Sequence, residues 1–231
     1  MKHTFVCISD THSKHKEIPQ KQLKSADFII HAGDISNRGF EYEIRDFLNW
    51  YSGLNQYTYK ILIAGNHDFF FQDYKEPTRE LLKEYPNIIY LENESIEIEN
   101  IKFWGSPIQP TFFNWAFNVD RGEKIRQYWD MIPHNTDIVI THGPVYKQLD
   151  LVINEYSSNN GEHVGCEELD KRLQIIKPII HISGHIHCGR GVSQTDNTTF
   201  INACILDEDY KVVNWPIYFE LENKKIINIE Y

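Results

Sequence analysis

Apolar residues fall in short runs separated by longer amphipathic stretches, and the short runs end alike. Phe5-Val6-Cys7-Ile8 marks a strand expected over His3 to Ser9. Asp27 to His31, Lys60 to Ala64, Asp137 to Ile140 and Pro178 to Ile182 repeat the pattern. Each is apolar and bounded by glycine or turn residues, the signature of a buried strand. Between them, Ile44, Phe47, Leu48 and Tyr51 recur at i, i+3, i+4 and i+7, and so do Ile125, Tyr128, Trp129 and Ile132. Leu169, Leu173 and Ile176 form a third helical stripe. Pro77 suits a helix start ahead of Thr78 to Tyr85. A hairpin is expected over Ser95 to Gly105, turning at Glu99-Asn100, and strands over Thr198 to Ala203, Trp215 to Leu221 and Lys225 to Tyr231 close the chain. Strands alternating with helices, then strands alone, predict an α/β sandwich of mixed sheets. No repeat, low-complexity tract or Gly/Ser linker interrupts the pattern, so a single domain over residues 1–231 is expected.

The loops that leave the five apolar runs carry the chemistry. The first run leads into Asp10-Thr11-His12, the second into Gly33-Asp34, and the third into Gly65-Asn66-His67-Asp68. The last two lead into Thr141-His142-Gly143-Pro144 and Gly184-His185-Ile186-His187. Ligands in open α/β sheets bind beyond the carboxyl ends of strands, so these five loops can meet at one edge. Asp10 and His12 are two apart, as are His185 and His187, and in an extended segment each pair points to one side. Gly65 permits a turn that aims Asn66 and His67 differently, while Gly33, Gly143 and Gly184 leave room for backbone. The donors Asp10, His12, Asp34, Asn66, His142, His185 and His187 are carboxylate, imidazole and amide, without thiolate. That set suits two divalent or mixed-valence transition-metal ions (Mn, Fe, Zn or Co) rather than a soft metal. Seven donors exceed one ordinary site and fit two cations sharing a bridging carboxylate. Two such cations, two aspartates and a hydroxide leave a charge of about +1 to attract phosphate.

The ordered motifs resemble those of calcineurin-like metallophosphoesterases over at least Ser9 to His187. Further segments, Gly105-Ser106-Pro107-Ile108-Gln109-Pro110, Trp115-Ala116-Phe117-Asn118 and Val164-Gly165-Cys166-Glu167-Glu168-Leu169, are similar to the metallophosphoesterase-domain-containing branch with brain and fetal-brain members. The resemblance implies a four-layer αββα sandwich of two mixed β-sheets flanked by helices. It implies that Asp10, His12, Asp34 and His187 hold one metal, that Asp34 bridges, and that Asn66, His142 and His185 complete the second site. His67 would contact phosphate and protonate the leaving oxygen. The implied reaction is attack of a metal-bridging hydroxide on phosphorus, with catalytic roles for His67, Asp34 and Asn66. The branch includes cyclic-nucleotide phosphodiesterases, which makes small phosphodiesters the first expectation and phosphomonoesters the alternative. A nucleotide-binding module with little turnover is the rival from another class, and the full donor set speaks against it. Some brain-type relatives carry glycine in place of the histidine at position 185; this chain keeps His185. Asp68 stands where those relatives carry glutamate, and Cys188 replaces an acidic residue.

Composition narrows the partners. Charged residues are 24%, hydrophobic ones 41%, and the formal net charge is -10. So acidic a chain lacks the basic surface that releases counterions from a nucleic acid, and the expected partner is a small phosphorylated substrate, a nucleotide by preference. Cys7, Cys166, Cys188 and Cys204 form no CxxC pair, no signal-peptide core precedes the first strand, and no apolar run spans a bilayer. The expectation is a cytoplasmic protein with reduced thiols and no membrane partner; the sequence does not bear on oligomeric state. His3, His15, His31, His134, His163 and His181 read as structural or solvated histidines. Arg38 and Asn37 are open between surface positions and phosphate contacts. Phe69-Phe70-Phe71 reads first as aromatic core, whereas Phe112, Phe113 and Trp115 are open between core packing and stacking on a nucleobase.

Overall fold

The computed structural model of the chain describes residues 1–155 and 157–231. In chain order the first half forms β1 (Lys2–Ile8), β2 (Ala26–Ala32), α1 (Glu41–Ser52), β3 (Tyr57–Ile63), α2 (Phe69–Asp73), α3 (Lys75–Lys83), β4 (Ile88–Tyr90), β5 (Glu94–Ile98), β6 (Ile101–Ser106), β7 (Gln109–Pro110) and β8 (Asn118–Val119). The second half adds α4 (Glu123–Trp129), β9 (Ile138–Thr141), α5 (Glu167–Ile176), β10 (Ile180–Ser183), β11 (Gly191–Gln194), β12 (Thr199–Asn202), β13 (Ile217–Glu222) and β14 (Lys225–Glu230). One six-stranded sheet runs β14-β13-β1-β2-β3-β4 and the other β11-β12-β10-β9-β6-β5. Both are mixed. β1, β2 and β3 pair in parallel, as do β6, β9 and β10, with antiparallel hairpins at the flanks.

Alternation along the strands builds the layers. Phe5, Cys7, Phe28, Ile30, Ile61 and Ile63 pack against Phe103, Ile138, Ile140, Ile180 and Ile182 in one core between the sheets. Their neighbours Val6, Ile8, Ile29 and Leu62 belong with Ile44, Phe47, Leu48 and Tyr51 of α1, while Trp104 and Val139 belong with Ile125, Trp129, Leu169 and Leu173 of α4 and α5. A period of two thus places one residue between the sheets and the next under a helix, giving the four-layer αββα sandwich. Phe5 stacks between Phe28 and Phe219 at centroid distances of 4.7 and 4.5 Å. The hairpin expected at Glu99-Asn100 is β5-β6, with both turn residues at positive φ.

Several boundaries differ from expectation for local reasons. α3 begins at Lys75 rather than Thr78, because a first-turn proline forfeits no intrahelical bond. α4 stops at Trp129, and Ile132 buries from a following turn. β13 starts at Ile217, after Pro216, which has no N–H to give the ladder. Phe69, Phe70 and Phe71 lie in the short helix α2, with Phe70 and Phe71 in the core as expected. No helix among the described residues is long and apolar enough to cross a membrane.

Candidate metal centre

The loops following β1, β2, β3, β9 and β10 converge at the carboxyl ends of the parallel strands, where the two sheets touch. Ser9, just past β1, bridges to Cys204, just past β12. Asp34 lies at the middle of the convergence. His67 N donates to its Oδ1 at 2.8 Å, which leaves Oδ2 facing His142 Nε2 at 3.3 Å, His12 Nε2 at 3.5 Å and His67 Nε2 at 4.0 Å. Asn66 Oδ1 is 2.9 Å from His142 Nε2. Asp10 receives the His185 N–H at 3.0 and 3.1 Å on its two oxygens and lies 3.8 Å from His187 Nε2. The rings of His12 and His67 meet edge to face at 4.5 Å, and those of His142 and His185 at 5.1 Å. All eight expected residues therefore share one cluster. Metal-type donors group as His12-Asp34-His67, Asp34-His142-His185 and Asp10-His187-Cys204, with Asp34 common to two groups.

Hydrogen bonds behind the cluster fix which nitrogen each ring presents. His142 Nδ1–H donates to Ala32 O at 2.9 Å, His187 Nδ1–H to Asp207 O at 2.9 Å, and His67 Nδ1–H to Asn37 O at 2.8 Å. Each bond turns Nε2 inward, the support that metal-binding imidazoles characteristically receive. His12 is buried, and neither of its ring nitrogens has a hydrogen-bond partner among the described residues. A buried polar atom left unpaired is costly, so this ring is built for a ligand. A divalent cation fits an orphaned imidazole, inward-facing Nε2 atoms and a shared carboxylate.

Burial lowers His12 and His185 to about 3, so both are neutral at ordinary pH. Burial pushes His142 down, but the Asp34 carboxylate, joined by Asp10 and the Ala32 carbonyl, outweighs it and raises the group to about 9. For Asp34 burial acts upward and is overcome, chiefly by His142 and His67, which hold it well below the usual carboxylate range.

The backbone reaches this arrangement by a different route from the one the spacing implies. Asp10 (φ 53°), His12 (φ 40°), Asp34 (φ 57°) and His185 (φ 69°) are left-handed. The pairs 10/12 and 185/187 therefore share a side through tight turns rather than extended chain. Non-glycine residues in this region store strain, and four of the candidate donors carry it. Gly65 is needed for space rather than for its φ: a Cβ there would lie 2.3 Å from both the N and the Oδ1 of Asp34. Gly143 serves no such purpose, since a Cβ would meet only Gln109 at 3.6 Å.

Asp68 is a supporting residue whose role the sequence leaves undefined. Fully buried, it accepts Ile35 N, Ser36 N, Ser36 Oγ and Gly65 N at 2.6–3.2 Å, tying the Asp34 loop to the Asn66 loop. Burial, then Asp34, raises its carboxyl to about 6. Trp115 stacks on His67 at 4.0 Å and 25°, so one ring face meets the histidine. Phe112 sits edge-on to His185 at 6.1 Å, and Phe113 is exposed. Asn37 contributes its carbonyl to His67, and the Arg38 side chain is exposed. Tyr210, which carries no signal in the sequence, contacts the rings of both His12 and His187 at 4.9 and 5.2 Å.

Fold and cluster together define an α/β sandwich with a histidine-aspartate centre of the metallohydrolase kind. The family model described as calcineurin-like phosphoesterase matches residues 3–189. Metallophosphoesterase domain-containing protein 1 of Homo sapiens is 38% identical over 238 residues, spanning 94% of this chain and 70% of that protein. UPF0046 protein T07D4.2 of Caenorhabditis elegans is 33% identical over 244 residues, spanning 94% of this chain and 59% of that one. The chain belongs to the calcineurin-like phosphoesterase family, whose members are metal-dependent phosphoester hydrolases. Among solved structures, TT1561 of Thermus thermophilus covers 100% of this chain, and this chain 99% of it, with a TM-score of 0.61 at 11% identity. The phosphopantetheinyl hydrolase of Mycobacterium tuberculosis covers 90% of this chain, and this chain 90% of it, with a TM-score of 0.60 at 14% identity. At such identities the likeness is one of fold.

Proposed function

We propose that this chain is a dinuclear metal-dependent phosphodiesterase acting on cyclic nucleotides or similar small phosphodiesters. The observation behind it is Asp34 Oδ2, a single carboxylate oxygen within 3.5 Å of Nε2 atoms of both His12 and His142. In this reading Asp10, His12, Asp34 and His187 hold one cation, and Asp34, Asn66, His142 and His185 the other. Bound there, the cations supply a nucleophile at neutral pH and offset charge on the phosphoryl group. The protein's own residues do the rest. His67, with Nδ1–H committed to Asn37 O, offers Nε2 to the leaving oxygen as a proton donor. Trp115 holds the plane of that ring by stacking. The cavity beside His185 and His187, of about 580 Å³, is in the size range of small-molecule sites. The net charge of -10 disfavours long nucleic acids.

The test is metal analysis of the purified protein alongside turnover of bis-aryl phosphate, mono-aryl phosphate, cyclic nucleotides and nucleoside monophosphates. The expected result is two bound cations and faster cleavage of diesters than of the matching monoesters. Preference for the mono-aryl ester would make it a phosphomonoesterase. Tight nucleotide binding without turnover at full metal occupancy would make it a binding module.

A further inference from the structure

Outside the cluster, one side chain reaches the cavity with unusual support. His163 lines the space that opens beside His185 and His187, together with Phe112, Val152 and Tyr210. Behind it lies Asp150, wholly buried. Asp150 Oδ2 accepts Lys147 N and Gly165 N, each at 2.9 Å, and Oδ1 accepts His163 Nδ1–H at 2.6 Å. The carboxylate thus fixes the tautomer and orientation of the imidazole. His163 is 39% exposed, and no group among the described residues engages its Nε2. Its backbone is held as well, through a bridge to Leu151. Two backbone donors already hold Oδ2, and the second oxygen is given to orienting a half-exposed ring at a cavity wall. That is the construction of a preorganised binding group.

The charges around the cavity indicate what such a group receives. Arg121 lines it, but its guanidinium is committed to Val164 O at 2.6 Å, Gly165 O at 2.7 Å and the Glu167 carboxylate. Glu162 and Glu208 add carboxylates to the lining. Away from the metal cradle a second phosphate would meet acidic walls, whereas hydroxyl and amide groups would find partners.

We infer that His163, positioned by Asp150, binds through Nε2 the organic group retained on phosphorus, and that this group is neutral and rich in hydroxyl or amide atoms, as a nucleoside is, rather than bearing a second phosphate. This rests on the hydrolytic reading above, with His67, which does not line the cavity, at the leaving oxygen.

The test uses diesters with one shared leaving group: methyl p-nitrophenyl phosphate, the p-nitrophenyl ester of thymidine monophosphate, and that ester carrying a further phosphate on the sugar. For the metal-loaded wild type, kcat/KM is expected to favour the thymidine ester over the methyl ester. His163→Ala should reduce that ratio about 2- to 12-fold, chiefly through KM, as loss of one hydrogen bond implies. His163→Gln should restore part of it. A purely structural role would lower both esters together and keep the ratio, which would overturn the inference. An unaltered ratio with both esters still cleaved would overturn it too, while leaving the hydrolytic reading intact. If the wild type cleaves neither ester, the hydrolytic reading fails first and this inference with it. The doubly phosphorylated ester should be the poorer thymidine substrate, and equal or better turnover would refute the charge argument.

Discussion

In the metal-free protein His142 should carry two protons at neutral pH. Its surroundings show why: Nδ1 faces Ala32 O, and Nε2 faces Asn66 Oδ1 and Asp34 Oδ2, all of them acceptors. A neutral ring would leave one acceptor facing a bare nitrogen. The group is raised from 6.5 to about 9 although burial acts the other way. Asp34→Asn removes the strongest of the raising influences, and burial is then opposed only by Asp10 and the Ala32 carbonyl, so the value falls. The sign follows from linkage. A group raised in the folded state adds stability that is fully present below pH 6.5 and is lost as pH rises through about 9. Metal binding must expel the Nε2 proton, so affinity at pH 7 is reduced about a hundredfold and recovers about tenfold per pH unit up to about pH 9. His12 and His185, lowered to about 3, are already neutral over that range and add no slope. The assay is long-range proton–nitrogen NMR of histidine side chains in chelator-treated protein across roughly pH 5–10. One imidazole should titrate near 9 in the wild type and vanish from that range in Asp34→Asn. A wild-type His142 that titrates at or below its ordinary value would refute the reasoning, because the acceptors around it would then not select the charged ring.

Other perturbations test the supports. Asp68→Ala leaves the buried N–H groups of Ile35, Ser36 and Gly65 without their acceptor, at a cost on the order of 4 kcal/mol; thermal unfolding of the metal-free protein should show a fall of several degrees, and none would mean that the loops hold without the carboxylate. Gly184→Ala places a methyl group 2.1 Å from Asp10 Oδ2, and metal analysis should show depleted metal while circular dichroism shows an intact fold. Trp115→Leu removes the ring stacked on His67 and should slow cleavage of alkyl leaving groups by about 2- to 10-fold, with less effect on p-nitrophenolate, which hardly needs a proton. Equal loss on both leaving groups would place Trp115 in general packing instead.

The fold was largely legible because periodicity reports burial, and burial here is layered. In β1, β2 and β3 both faces are covered, so the strands read as continuous apolar runs, and each run stops where its chain leaves the sandwich. The candidate donors stand at those stops, which is why Asp10, Asp34, Asn66, His142 and His185 could be singled out by residue type and position together. Periodicity says nothing about φ, however. The left-handed Asp10, His12, Asp34 and His185 break the rule that non-glycine residues avoid that region, and the enrichment of Asp and His there is too weak to place the turns from sequence. The supports were hidden for a related reason. Asp68, Asp150 and the carbonyls of Ala32, Asn37 and Asp207 act through contacts between loops distant in sequence, and a backbone carbonyl has no letter in the sequence at all. His163 shows the consequence. Alone, a histidine in a polar loop is ordinary, and only the buried carboxylate behind it and the cavity before it give it a task. The inner ligands of such a centre are constrained by chemistry common to the whole family, so they can be recognised. The residues that choose the substrate answer to this cavity alone, and for them geometry has to come first.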